Sequence, residues 1–410
     1  MRLRGITPPG RGPVLALGAL MSAVLALAGC DGGQEPVGTV KAATTLGPGE
    51  GQLDLVALPG YIENGSNDPR VDWVTPFQER TGCTVSWRTA RDADDMATML
   101  RDPNRRFDGV SAPAEVAGQL VAGDRVAPVN PDLVDGYKRL EPRLRNLLKQ
   151  GGKFYGVPAT WGSNLLMYDT RAVQPAPQGW AALFDPAAAA RYSGKIVLRD
   201  SPLTIAEAAL YLKSRDRKLK IKDPYALTPR QLAAAVRVLQ RQRPYVQAYW
   251  KRPADAVGAF AGGQAVLGGV WPYQVDVLSR AGRAVQSVAP AEGVTGWTTS
   301  WMIGARAAHP NCMYQWMQWT ASPDVQQQVA EWTGAAPANP QACAGDRLRA
   351  AFCGAYHVGD RGYLDKVIFA HAPTKACTAT AAGARDGEGD CTDYSEWTKA
   401  WIETTKLPKK

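Results

Sequence analysis

The chain has 410 residues, a length that allows two or three folded units, and 45% apolar with 21% charged residues excludes wholesale disorder. Its 41 glycines and 30 prolines follow no period, which excludes a collagen-like or repeat protein. The net charge of +9, from 47 Lys+Arg against 38 Asp+Glu, is too mild for a nucleic-acid binder, and three histidines make a His-rich metal site improbable.

Read in chain order, the first segment is an address. Arg2, Arg4 and Arg11 form a basic start, and residues 14–27 are almost uninterrupted Ala, Leu, Val and Gly. About 14 apolar residues are short for a bilayer span but suit a signal-peptide core. No other stretch approaches such a span, so a polytopic membrane protein is excluded. The run ends Leu27-Ala28-Gly29-Cys30 before the polar Asp31-Gly32-Gly33-Gln34-Glu35-Pro36. That ending resembles the bacterial lipobox, in which the cysteine is diacylated and becomes the new N-terminus. A plain secretory leader or an unusual anchor helix is the alternative reading. Removal of residues 1–29 takes away three arginines and no acid, so the charge falls from +9 to +6.

Residues 30–52 are Gly, Pro, Thr and Ala-rich without apolar periodicity and read as a flexible tether. Residues 53–58 read as a strand, and 72–81, with Trp73, Val74 and Phe77 apolar, as a helix stopped by Gly82. Strand alternation returns over 83–87. Asp92 or Asp94 can cap a helix with Met96, Met99 and Leu100 on its inner face. A short strand over 107–111 and a helix over 115–121 follow. Beyond residue 150, strands are expected at 153–159, 164–168, 195–198 and 265–270. Helices are expected at 204–213, 228–241 and 274–281, with Leu232, Val236 and Leu239 on one stripe of the second. Repeated β–α steps predict α/β layers with mainly parallel sheets, and some 350 residues predict two cores. The run Arg215-Asp216-Arg217-Lys218-Leu219-Lys220-Ile221-Lys222 reads as a solvated helix end and loop. After Pro340 the chain reads as an irregular, Cys-rich extension.

Apart from Cys30, the cysteines are Cys83, Cys312, Cys343, Cys353, Cys377 and Cys391, an even number that suggests disulfides outside the cytoplasm. Six cysteines allow 15 connectivities. Cys343–Cys353 and Cys377–Cys391 would close short local loops and leave Cys83–Cys312 as a long-range clasp. No CxxC pair occurs, which disfavours a zinc ribbon or thioredoxin-like site.

Catalytic signatures are scarce. No GxSxG elbow, HExxH, Walker A loop or GxGxxG after a strand is present, and His309, His357 and His371 stand beside no nucleophile pattern. The informative feature is aromatic. Thirteen Trp and 14 Tyr stand against seven Phe, and several follow apolar strands directly. Tyr61 follows the first strand, Trp161 the strand at 153–159, and Trp271 with Tyr273 the strand at 265–270. Trp297 and Trp301 flank Thr298-Thr299-Ser300. Ligands in open α/β sheets bind beyond the carboxyl ends of strands, so such rings are placed to line a crevice. Trp301, on an apolar strand, reads as a core residue.

Several segments together resemble a known family. They are Pro76-Phe77-Gln78-Glu79-Arg80-Thr81-Gly82-Cys83-Thr84-Val85, Phe107-Asp108-Gly109-Val110 and Tyr155-Gly156-Val157-Pro158-Ala159-Thr160-Trp161-Gly162. Further on come Gly179-Trp180-Ala181-Ala182-Leu183-Phe184-Asp185-Pro186, Ser193-Gly194-Lys195-Ile196-Val197-Leu198, and the stretch from Ser322-Pro323-Asp324-Val325 to Gln328-Val329-Ala330-Glu331. From about residue 53 to 339 the chain resembles the extracellular solute-binding proteins of ABC importers, in the spermidine/putrescine-binding group.

The resemblance implies an α/β, bilobal type II periplasmic-binding-protein fold, with two lobes joined by crossover strands around a central cleft. The expected boundaries are 53–165 plus 298–342 for one lobe and 166–297 plus 343–410 for the other. It also implies a non-enzymatic monomer without cofactor or metal. Such a protein closes on a small solute and delivers it to a permease, held at the membrane by a lipid on Cys30. A secreted hydrolase or an adhesive lipoprotein is the rival from another class.

Matched residue by residue, Tyr61, Trp271 and Trp297 fall on the family's ring positions. Leu58 and Pro59 stand where it has Trp and Thr, Ser201 and Thr204 where it has Asp and Glu, and Thr299 where it has Asp. Asp200 precedes the matched acidic position by one. The candidate ligand contacts are therefore Tyr61, Ser111, Trp161, Asp200, Ser201, Thr204, Trp271, Tyr273, Trp297 and Thr299. With three carboxylates replaced, a monoamine, a quaternary ammonium, or a neutral or anionic solute stands beside a polyamine as candidate cargo.

Overall fold

The computed structural model describes residues 41–102, 104–344, 348–375, 377 and 391–408. The leader and Cys30 lie outside the described residues. Strands β1 (Gln52–Ala57), β2 (Thr84–Thr89), β3 (Gly109–Pro113) and β4 (Val126–Ala127) come first. A small hairpin, β5 (Lys149–Gln150) and β6 (Lys153–Phe154), precedes β7 (Val157–Ser163). Next come β8 (Leu165–Asp169), β9 (Ile196–Arg199), β10 (Val246–Trp250), β11 (Leu267–Val270) and β12 (Val285–Val288). The last are β13 (Val294–Gly304), β14 (Ala336–Pro337) and β15 (Val367–Phe369).

These strands make two large sheets, one per lobe. The first has the order β14-β7-β13-β3-β1-β2, with β4 and β15 also paired to β13; the second is β10-β9-β11-β8-β12. Each contains a parallel trio, β2-β1-β3 and β10-β9-β11, built from consecutive β–α steps. The expectation of mainly parallel sheets is corrected in part. β13 runs antiparallel to β3 and β7, and β8 antiparallel to β11 and β12. The physical reason is connectivity: β8 and β13 enter from the other lobe, without the helical crossover that turns a chain parallel to its predecessor.

Apolar cores cover both faces of both sheets. Along β1, Leu53, Leu55 and Ala57 enter one core while Val56 enters another, the period-two alternation of a strand buried on both sides. Helices of the first lobe begin and end as their sequences demand. Helix Val74–Thr81 stops at Gly82, whose φ of 72° is the left-handed conformation glycine adopts cheaply. Helix Ala93–Arg101 is capped by Asp92, which accepts from the Asp95 N–H at 2.8 Å, and buries Met96 and Leu100. In the second lobe, helix Pro229–Gln242 opens with a Thr228/Gln231 capping box and buries Leu232, Ala235, Val238 and Leu239, with Val236 at the margin.

Two segments differ from the sequence reading. Within the stretch read as a tether, the Gly47 N–H donates to Asn311 Oδ1, and Glu50 accepts from the Asn311 and Cys312 N–H groups, so this part is held on the first lobe. The tail after Pro340 is not irregular throughout. Phe352, Tyr356, Leu364, Val367 and Phe369 join the first core, whereas Trp397 and Trp401 of helix Tyr394–Thr405 join the second. Short apolar motifs separated by Gly and Cys lack the periodicity that would reveal them; their partners lie hundreds of residues away.

The cysteines pair as their spacing suggests: Cys83–Cys312, Cys343–Cys353 and Cys377–Cys391. Among the described residues, no helix is long and apolar enough to cross a membrane.

Candidate functional site

A cavity of about 410 Å³ lies where the carboxyl ends of β1, β9, β10 and β11 face β13 and the first turn of helix Ala93–Arg101. That is the position at which open α/β sheets place ligands, and the size suits a small organic molecule. Its aromatic lining comes from separate places in the chain: Tyr61 after β1, Trp271 and Tyr273 after β11, Trp297 in β13, and Tyr394 from the C-terminal helix. The indoles form a cluster. Trp271 and Trp297 lie 4.8 Å apart between centroids at 49°, and Trp250 meets Trp271 edge-on at 5.0 Å. Trp271 Nε1 donates to Asn164 Oδ1 at 2.9 Å, which fixes the ring against the single residue separating β7 from β8. Opposite, the Tyr61 hydroxyl shares a 2.5 Å hydrogen bond with Thr160 Oγ1, and burial pushes its phenol up despite the Thr160 and Thr299 hydroxyls.

Charges of both signs line the cavity, and the cations are paired. Arg199 at the end of β9 holds Glu115 of the first lobe at 2.7 Å, with the two side chains only 21% and 4% exposed. The Arg199 guanidinium also lies 5.2 Å from the Trp271 ring centroid. Lys251 reaches Asp94 at 3.3 Å, so two ion pairs cross from lobe to lobe. Arg91 and Arg252 bind Asp95 and Asp255 on their own rims. A close contact of another kind occurs at Gly334, which ends helix Pro323–Thr333 with φ 67°. A Cβ there would run into the Tyr273 ring, so glycine permits the two lobes to meet at this point.

The structure brings seven of the sequence-derived candidates to this cavity: Tyr61, Asp200, Ser201, Trp271, Tyr273, Trp297 and Thr299. Three others stand elsewhere. Ser111 is fully buried and accepts from the Leu58 N–H at 3.0 Å, holding the loop that carries Tyr61. Trp161 is 1% exposed because the strand read as ending at 159 continues to Ser163. Its ring therefore enters the core against Phe369 and donates to the Pro337 carbonyl. Thr204 donates to the Arg199 carbonyl and faces a separate small chamber. Trp301, read as core, is 1% exposed and packs edge-on against Trp316. Asp200 is engaged by Trp401 Nε1 at 2.7 Å.

Sequence reasoning missed Arg199, Glu115, Lys251, Asp94 and Tyr394. Arg199 directly follows the buried run Ile196–Leu198, a strand-end position that could have drawn attention. Tyr394 carries no such signal, since only the folding back of the tail brings it here.

The sequence profile of the bacterial extracellular solute-binding proteins matches residues 72–351. The chain belongs to that family. This solute-binding protein is 24% identical over 260 residues to the spermidine/putrescine-binding periplasmic protein of Escherichia coli K12, covering 63% of this chain and 71% of that one. Its fold resembles that of the spermidine/putrescine ABC transporter substrate-binding protein of Streptococcus pneumoniae, solved with calcium and HEPES. The TM-score is 0.64 at 18% identity, over 87% of this chain and 99% of that one. The periplasmic binding protein MotA of A. tumefaciens B6, solved with glucopine, gives a TM-score of 0.62 at 15% identity, over 86% of this chain and 99% of that one. These likenesses establish the bilobal binding-protein fold for this solute-binding protein, and the family is one that captures solutes rather than transforming them.

Proposed function

We propose that this chain is the solute-binding subunit of an ABC importer and that its cargo is a small organic amine of the polyamine class. The observation that carries the amine is the ring cluster of Trp271, Trp297, Tyr61 and Tyr273 around one cavity with Asp92, Asp94 and Asp200 on its walls. Flat ring faces and carboxylates together suit methylene chains ending in ammonium groups, each cation–π contact adding about 0.5–2 kcal/mol. The name of the 24% identical relative supports the same reading. A second reading is favoured by Arg199. A guanidinium in the cavity wall would welcome a carboxylate, so an amino acid or another zwitterion is the alternative cargo.

A thermal-shift panel of polyamines, monoamines, betaines, amino acids and sugars separates the readings. A cognate solute at a hundred times its Kd adds about 2.7 kcal/mol to stability and raises the melting point. We expect amines to do so; a response confined to amino acids or sugars would overturn the amine reading.

In this proposal residues 1–29 are a lipoprotein leader, Cys30 carries the lipid, and the two sheets mark the lobes that close on the cargo. Replacing Cys30 by serine should release the protein from the membrane fraction into the soluble extracytoplasmic fraction without changing its solute affinity. Retention of the variant at the membrane would refute the anchor.

A further inference from the structure

A second chamber, of about 20 Å³, shares Arg199 and Trp297 with the cleft wall and is also lined by Asn164, Thr204, Glu207 and Tyr225. Glu207 stands in the first turn of helix Ile205–Arg215, three residues after Thr204, and is only 6% exposed. Its Oε1 accepts from Thr295 Oγ1 at 2.7 Å and from Asn164 Nδ2 at 3.0 Å. Its Oε2 is buried without a hydrogen-bond partner among the described residues, and so is Trp297 Nε1. A bare buried carboxylate oxygen is costly unless a donor or a cation meets it. Arg199 makes no hydrogen bond to it; the guanidinium's ion pair is with Glu115. Two buried carboxyl groups thus lie near one guanidinium, and an ionised Glu207 would have no ion-pair partner of its own. Burial pushes the Glu207 carboxyl up, against the pull of the Thr295 hydroxyl, its own backbone N–H, Arg199 and Asn164.

We propose that this chamber is an inner subsite of the cleft that takes one ammonium head group of the solute, with Glu207 Oε2 as its acceptor. The inference rests on the amine reading above and makes it specific. The volume admits one group the size of a water molecule, which an ammonium matches. Entry of one ammonium supplies the counter-charge that an ionised Glu207 needs, while Arg199 beside it discourages a second cation. The subsite therefore selects a primary amine at one end of the ligand and rejects a quaternary ammonium, whose methyl groups do not fit.

The test uses Glu207→Gln, which keeps the Oε1 acceptor for Thr295 and Asn164 but removes the charge. Calorimetric titration of the mature chain with putrescine, n-butylamine and tetramethylammonium is compared between wild type and variant. The expected result is a primary-amine affinity lower by about 10- to 100-fold in the variant, the scale of a lost charged hydrogen bond, with an unreduced melting point. Tight tetramethylammonium binding to wild type would contradict the size argument. Unchanged primary-amine affinity in Glu207→Gln would overturn the subsite while leaving the amine reading intact. If no amine binds wild type, the amine reading fails and the subsite falls with it. A crystal structure of the wild-type amine complex decides the point without a variant: an ammonium nitrogen beside Glu207 supports the subsite, and a water there refutes it.

Discussion

Replacing Trp297 by alanine should weaken solute binding about 30- to 100-fold, the equivalent of roughly 2–3 kcal/mol of lost ring contact. The ring is half-buried, tilted against Trp271 at 4.8 Å, and seated on Gly162, where any added Cβ would press into the indole at about 2.5 Å. Its Nε1 finds no hydrogen-bond partner among the described residues, so its removal forfeits binding surface rather than a structural hydrogen bond. Trp271→Ala should weaken binding by a similar factor but cost more stability, because Trp271 Nε1 holds Asn164 and its ring carries Trp250 and Arg199. Calorimetry together with thermal melting separates the two effects. Unchanged affinity in both variants would remove the indoles from the site.

Loss of the Cys83–Cys312 bridge should be the most destabilising change in the first lobe among the three disulfides. It joins residues 229 apart in sequence, whereas Cys343–Cys353 and Cys377–Cys391 span 10 and 14. A longer closed loop removes more freedom from the unfolded chain, and bridges of this kind contribute about 2–5 kcal/mol. Both sulfurs are buried in the first core, one beside β2 and the other in helix Pro310–Thr320, so a Cys83→Ala/Cys312→Ala variant also leaves a packing defect. Chemical denaturation should show a lower midpoint for that double variant than for Cys343→Ala/Cys353→Ala. The reverse order would show that the short loop in the tail matters more than the clasp.

Much of the first lobe was legible because its signals are local. Asp92 before Met96 and Leu100, and Gly82 after Phe77, each act within one or two turns of backbone, as Thr228 with Gln231 does in the second lobe. The cleft aromatics were legible for a related reason: Tyr61, Trp271 and Tyr273 follow strands whose apolar runs end abruptly, and a residue just past a parallel strand lands at the ligand edge. Trp161 was misjudged by that same rule. Its strand continues to Ser163 because β13 and β14 pair along it, and nothing within residues 157–163 announces those distant partners.

Local patterning thus determined that the chain alternates strands with helices, where helices such as Val74–Thr81, Ala93–Arg101 and Pro229–Gln242 begin and stop, and which family it resembles. Which of the 15 cysteine pairings forms was decided by the fold. Tertiary structure alone decided the charged half of the site. Glu115 and Arg199 are 84 residues apart, Asp94 and Lys251 157, and Trp401 reaches back 201 to Asp200. Periodicity in a sequence reports on neighbours within a turn or a strand, whereas a cleft between two lobes is assembled from residues that only chain crossovers bring face to face. The orphaned oxygen of Glu207 belongs to the same class, since which of its oxygens finds a partner depends on Asn164 and Thr295 arriving from two different strands' ends.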